Sequence, residues 1–122
     1  MRPSRRCGRR PAGVVWDVLW NLLVNAVQYR HPRRSLHVEL RAWGRGAEVC
    51  VEVRDNGRGI PPRQEERVFQ RGRRGSNATD VEGNGLGLYS ARRLLDTWGG
   101  ALWVEPSGEG ATFRMTLPGG ED

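Results

Sequence analysis

Apolar residues recur at helical spacing between residues 14 and about 29, where Val15, Leu19, Leu22, Leu23, Ala26 and Val27 repeat every three or four positions. His31-Pro32 closes this first helix, because proline disfavours helical geometry in the residue before it. Residues 36–43 and 47–54 instead alternate between apolar and polar, and with Gly44-Arg45-Gly46 as the turn they predict a hairpin. Pro61-Pro62 opens what reads as a short polar helix to about Phe69, followed over residues 71–82 by a polar, glycine-rich stretch expected to act as a mobile lid. Amphipathic spacing returns over residues 88–98 and stops at Gly99-Gly100, a common C-terminal glycine stop. Residues 101–105 and 111–117 complete a second strand pair around Pro106-Ser107-Gly108-Glu109-Gly110. The order helix, two strands, lid, helix, two strands predicts an α+β fold. It is a two-layer sandwich whose mixed, mostly antiparallel sheet carries its helices on one face. There is no internal repeat.

With 122 residues the chain supports one core and no second. Residues 1–12 read as an arginine-rich flexible tail, 13–118 as the folded domain and 119–122 as a C-terminal tail. All 20 basic residues are arginine, and Arg2, Arg5, Arg6, Arg9 and Arg10 place most of the +6 net charge in the first ten positions. The remainder is close to neutral and carries no nucleic-acid footprint, so nucleic acid is not an expected partner. No apolar run approaches the roughly 18–20 residues that cross a bilayer, and the arginine-rich start lacks the apolar stretch of a secretory signal. Direct membrane contact is therefore not expected. Cys7 and Cys50 lie far apart with no zinc-type spacing, and Cys50 between Val49 and Val51 reads as a buried thiol. That pattern suits a reducing cytoplasm.

Three short segments carry candidate chemistry. Asn21 and Asn25 are four residues apart, so both amides project from one helix face. A magnesium ion held with a triphosphate prefers oxygen ligands and keeps several waters, so one amide oxygen suffices as the protein's share. Taken alone, the pair is equally two polar surface positions. Asp55-Asn56-Gly57-Arg58-Gly59-Ile60 follows directly on a strand. A carboxylate there can accept a hydrogen bond from the exocyclic amine of adenine, and Gly57 and Gly59 let backbone approach the ring. The same residue types also favour a plain turn. Gly83-Asn84-Gly85-Leu86-Gly87-Leu88 precedes a helix, where free N–H groups and the helix dipole suit phosphate. A dinucleotide site of the βαβ kind does not fit the context, and a Walker A loop needs a lysine that this chain lacks. Arg71 and Arg74 lie where they could swing over a nucleotide and pair with phosphate oxygens, although solvated loop charge is the commoner fate of arginine. His31 and His37 have no partner at metal-ligand spacing.

In this order the segments resemble the ATP-binding catalytic domain of sensor histidine kinases, within the superfamily of gyrase, Hsp90 and MutL ATPases, over residues 14–118. Residues 21–29 look like its N box, residues 55–60 its G1 box, Val68-Phe69-Gln70-Arg71 its F box and residues 83–88 its G2 box, with Gly110-Ala111-Thr112-Phe113 as the final signature. The resemblance implies a Bergerat-type ATP-binding fold with Asn25 on magnesium and Asp55 on adenine. It implies Thr112 supporting Asp55 through a water, and Tyr29 and Ile60 lining the base beside Gly57 and Gly59. Gly83, Gly85, Leu86, Gly87 and Leu88 would embrace the phosphates, with Arg71 and Arg74 near the γ-phosphate. Asn21 stands where the hydrolysing members carry a glutamate that activates water, and an amide cannot act as that base. That difference points to phosphoryl transfer by a kinase. Gln28 replaces a frequent cation before the tyrosine, and Gly72 replaces a second phenylalanine of the F box. The expected cofactors are ATP and Mg2+. The expected partner is a histidine-bearing dimerisation domain, in cis or in trans, with a response regulator engaged indirectly. Two alternatives share the pocket: an anti-sigma-type serine kinase, and a non-catalytic nucleotide-sensing module.

Overall fold

A computed structural model describes residues 11–61, 63–70, 87–107 and 109–119. Helix α1 spans Pro11–Gln28, strand β1 Val38–Arg45, strand β2 Glu48–Asp55, helix α2 Gly87–Thr97, strand β3 Ala101–Ser107 and strand β4 Gly110–Pro118. The strands form one sheet in the order β1-β2-β4-β3, and every pairing is antiparallel among the described residues. The expected mostly antiparallel sheet thus shows no parallel pair in this part of the chain. Two hairpins lie side by side, and the contact of β2 with β4 joins them.

Local chemistry explains where these elements differ from their expected bounds. Among the described residues α1 opens on Pro11, and proline is compatible with a first helical turn because the N–H it lacks would have no partner there. The β1–β2 turn is Gly46-Ala47, since Arg45 pairs with Glu48 and Gly46 takes φ +60°. Gly44 therefore lies inside β1 and not in the turn. The polar helix expected over residues 61–69 shrinks to a single 3-10 turn, Arg67–Phe69. Arg63 takes a left-handed φ of 68°, which interrupts any right-handed helix running through it. α2 ends as expected: Gly99 takes φ +79° and the Gly100 N–H donates to the Leu95 carbonyl at 2.8 Å.

Both helices bury one stripe on the same face of the sheet. Val14, Val18 and Leu22 of α1 and Leu88, Ala91 and Leu95 of α2 meet Val51 and Val53 of β2, Leu102 and Val104 of β3, and Phe113, Met115 and Leu117 of β4. Phe69 packs edge-on against Phe113 with ring centroids 6.2 Å apart. The opposite face of the sheet carries charged residues beside Trp43 and Trp103. Glu52, only 4% exposed, accepts from Arg114 at 3.1 Å and lies 3.9 Å from Arg41, while Arg114 also pairs with Glu105 at 3.0 Å. Cys50 is buried there too, as its position between two valines suggested.

Candidate functional site

The site is built where three elements end. α1 supplies Asn25 and leads into Tyr29, β2 ends at Asp55 and turns through Gly59 and Ile60, and β4 places its second residue, Ala111, opposite Asp55. Together with Val68, Leu88 and Phe113, these residues line a cleft that opens to solvent. Its walls are mostly apolar, and Asp55 is its one carboxylate among the described lining residues. A largely apolar slot with one carboxylate acceptor suits a flat heteroaromatic base that presents a donor edge.

Asp55 is held rigidly. Its Oδ1 accepts the Gly57 N–H at 2.8 Å, closing a tight loop over Asn56. Burial pushes its carboxyl above the usual aspartate value, while the backbone N–H groups of Gly57 and Ala111 pull it back down. Gly57 has to be glycine on steric grounds, since a methyl group there would lie 2.6 Å from the Tyr29 carbonyl oxygen and 3.0 Å from Asp55 Oδ1. Gly59 has to be glycine on conformational grounds, because its φ is +81°.

The remaining expected positions divide into three groups. Asn25, Tyr29, Ile60 and Leu88 line the cleft with Asp55. Asn21 does not: its amide donates to the Asp17 carbonyl at 2.9 Å, and its Oδ1 lies beside Gly87 at the start of α2. Gln28 is the last residue of α1 and is half-buried outside the cleft lining. Thr112 also lies outside it. Successive side chains alternate across a strand, so Ala111 and Phe113 face the cleft and Thr112 turns to the opposite face with Arg114. There its hydroxyl is buried without a hydrogen bond to any described residue. Ala111 is therefore the β4 neighbour of Asp55, a residue the expected set omitted. The alternation Ala111, Phe113, Met115, Leu117 against Thr112, Arg114, Thr116 was the signal that could have separated them. Gly83, Gly85, Leu86, Arg71 and Arg74 lie outside the described residues.

No group of three or more His, Cys, Asp or Glu side chains suited to a metal ion exists among the described residues. The side chain of Asn25 makes no hydrogen bond with another described residue and borders the cleft, which fits an amide oxygen offered to a hard cation held mainly by a ligand's own oxygens. No described helix is long and apolar enough to cross a membrane.

Comparison with known proteins finds relatives over most of the chain. The family profile described as "Histidine kinase-, DNA gyrase B-, and HSP90-like ATPase" matches residues 14–121. Sensor protein KdpD of Escherichia coli (strain K12) is 41% identical over 103 residues, covering 83% of this chain and 11% of KdpD. The adaptive-response sensory kinase SasA of a Synechococcus strain is 38% identical, covering 84% of this chain and 27% of SasA. The chain thus spans only a small part of the length of these curated relatives. Among solved structures, the mycobacterial sensor histidine kinase MprB superposes with a TM-score of 0.77 at 26% identity, covering 89% of this chain and 74% of that one.

Proposed function

The chain belongs to the histidine kinase-, DNA gyrase B- and HSP90-like ATPase family, and on that premise we propose that it is the ATP-binding catalytic domain of a two-component sensor histidine kinase. It binds Mg-ATP and delivers the γ-phosphoryl group to a histidine on a dimerisation domain, in the same parent chain or in another. The observation that carries this reading is the placement of the Asp55 carboxyl in the cleft shared with Asn25 and Tyr29. That carboxyl accepts from the exocyclic amine of adenine, while Ile60 and the backbone at Gly59 cover the ring. The family name of the profile and the sensory-kinase relatives support the same direction.

Magnesium, when bound, supplies positive charge to the triphosphate, and Asn25 is the described residue that would hold it. Phosphoryl transfer is mainly a matter of positioning and charge neutralisation. The acceptor is a neutral imidazole that attacks with its own lone pair. As the new P–N bond forms, the bond from the γ-phosphorus to the bridging oxygen breaks, ADP leaves, and the imidazole's remaining N–H proton passes to solvent. No water has to be activated, so an amide at Asn21 in place of a carboxylate is compatible with transfer and unsuited to hydrolysis.

Calorimetric titration with ATP, with and without magnesium, tests the pocket. Addition of a histidine-bearing helical hairpin with labelled ATP tests transfer. Label on the hairpin histidine supports the kinase reading, and binding without transfer favours a nucleotide-sensing module. Absence of ATP binding removes both.

A further inference from the structure

Arg34 lies in the polar connector between α1 and β1, far in sequence from every residue it holds. Its Nε donates to the Asn56 carbonyl at 3.1 Å, and one terminal nitrogen, Nη2, donates to the carbonyls of Gly57 at 3.0 Å and Glu109 at 3.1 Å. One half-buried guanidinium therefore ties the exit of β2 to the β3–β4 hairpin and to its own connector. A planar fork of N–H donors with no acceptor can grip three carbonyls at once, whereas a lysine ammonium on its flexible stem lacks that fixed geometry.

Peptide geometry gives the grip a consequence for Asp55. The Asn56 carbonyl and the Gly57 N–H belong to one planar trans peptide unit and point in opposite directions. Arg34 holds the carbonyl end, and the N–H end donates to Asp55 Oδ1 at 2.8 Å. Fixing one end of the plane aims the other. The rest of the loop is pinned independently: the Asn56 side chain accepts from the His37 N–H at 2.8 Å and donates to the Ser35 carbonyl at 2.9 Å, and the Arg58 N–H donates to the Tyr29 carbonyl at 2.9 Å. None of these other bonds touches the carbonyl of Asn56.

We infer that Arg34 is a positioning residue for base recognition: by clamping the 56–57 peptide plane it orients the Asp55 carboxylate toward the ligand's base. This rests on the nucleotide reading of the cleft, and two separate readouts keep the two claims apart. The first needs no nucleotide. In Arg34→Met, amide hydrogen exchange at Asn56, Gly57 and Arg58 accelerates by about tenfold or more relative to amides at the centre of β2. Arg34→Lys, which can still satisfy one carbonyl, falls between. Unchanged exchange at these three amides in the Met variant overturns the clamp.

The second readout is a double-mutant cycle on ATP affinity. Arg34→Met weakens ATP binding by about tenfold in the wild-type background and has little further effect in Asp55→Asn, because it acts through that carboxylate. A residue that merely stabilised the fold would cost affinity equally in both backgrounds, and that result also overturns the proposal. A wild-type chain that binds no ATP, yet shows the exchange effect, sinks the nucleotide reading and leaves the clamp on the loop standing.

Discussion

Burial raises the proton affinity of Asp55, while the N–H groups of Gly57 and Ala111 favour its charged form; burial is the larger effect. The sign of the linked stability follows. Between the ordinary aspartate value of about 4 and the raised native value, the folded chain binds more protons than the unfolded one, so stability falls as pH rises through that window and stays lower above it. Asp55→Asn removes this loss while its amide oxygen can still accept the Gly57 N–H. The ligand-free variant is therefore expected to melt above wild type at neutral pH, with the gap closing under acid conditions. Thermal melts across the acid-to-neutral range check this, and identical curves at every pH would refute the charge argument. The same substitution offers a donor where adenine needs an acceptor, so ATP affinity should fall by roughly a hundredfold in calorimetry. A variant that gains stability and loses its ligand is what a residue held for function produces. Unchanged ATP affinity would remove Asp55 from base recognition.

At the level of elements, the close approach of β4 to the end of β2 sets the width of the cleft. A methyl group on Gly110 would collide with the Asp55 carbonyl oxygen and lie 2.7 Å from its carbon and 2.9 Å from the Asn56 Cα, all backbone atoms that cannot rotate aside. Gly110→Ala should cost roughly 2–4 kcal/mol in denaturant unfolding. Gly44→Ala is the control: nothing lies within 4 Å of its added methyl, and the change should stay within about 0.5 kcal/mol. Equal midpoints for the two variants would contradict the tight β2–β4 contact. Both helices were legible because burial on one face prints a period on the sequence, yet the α1 stripe was read slightly rotated: Val14 and Val18 are fully buried, whereas the expected Val27 is exposed. Asp55, Gly57 and Gly59 were legible because carboxylate, steric and φ demands select their residue types. Arg34 was not, since a single polar residue in a connector carries no period and its partners lie 22, 23 and 75 positions away. The short helix expected before Phe69 failed for a related reason. Its polar composition allowed a helix, but the left-handed backbone at Arg63 is a single-residue event that no window of residues averages into view.

Across the whole molecule, the cleft joins α1 to both central strands, so a ligand seated there links the helical layer to the sheet. Binding to the folded state alone stabilises by mass action, about 2.7 kcal/mol when free ligand reaches one hundred times its Kd. The melting shift with ATP therefore measures occupancy of the pocket, and the part of its magnesium dependence that an Asn25 variant loses measures the share that passes through Asn25. If the Asn25 amide serves the metal ion, wild type should show a large shift with ATP and magnesium and a smaller one with ATP in chelator. Asn25→Ala should then lower the first value toward the second while leaving the second unchanged. Asn25 stands on α1 one turn before Tyr29, which lines the same cleft, so the alternative role is direct contact with the base or sugar. In that case the Ala variant loses affinity equally with magnesium and in chelator. The ratio of the two shifts, compared between wild type and variant, decides between metal ligand and nucleotide contact without any need for phosphotransfer by this chain.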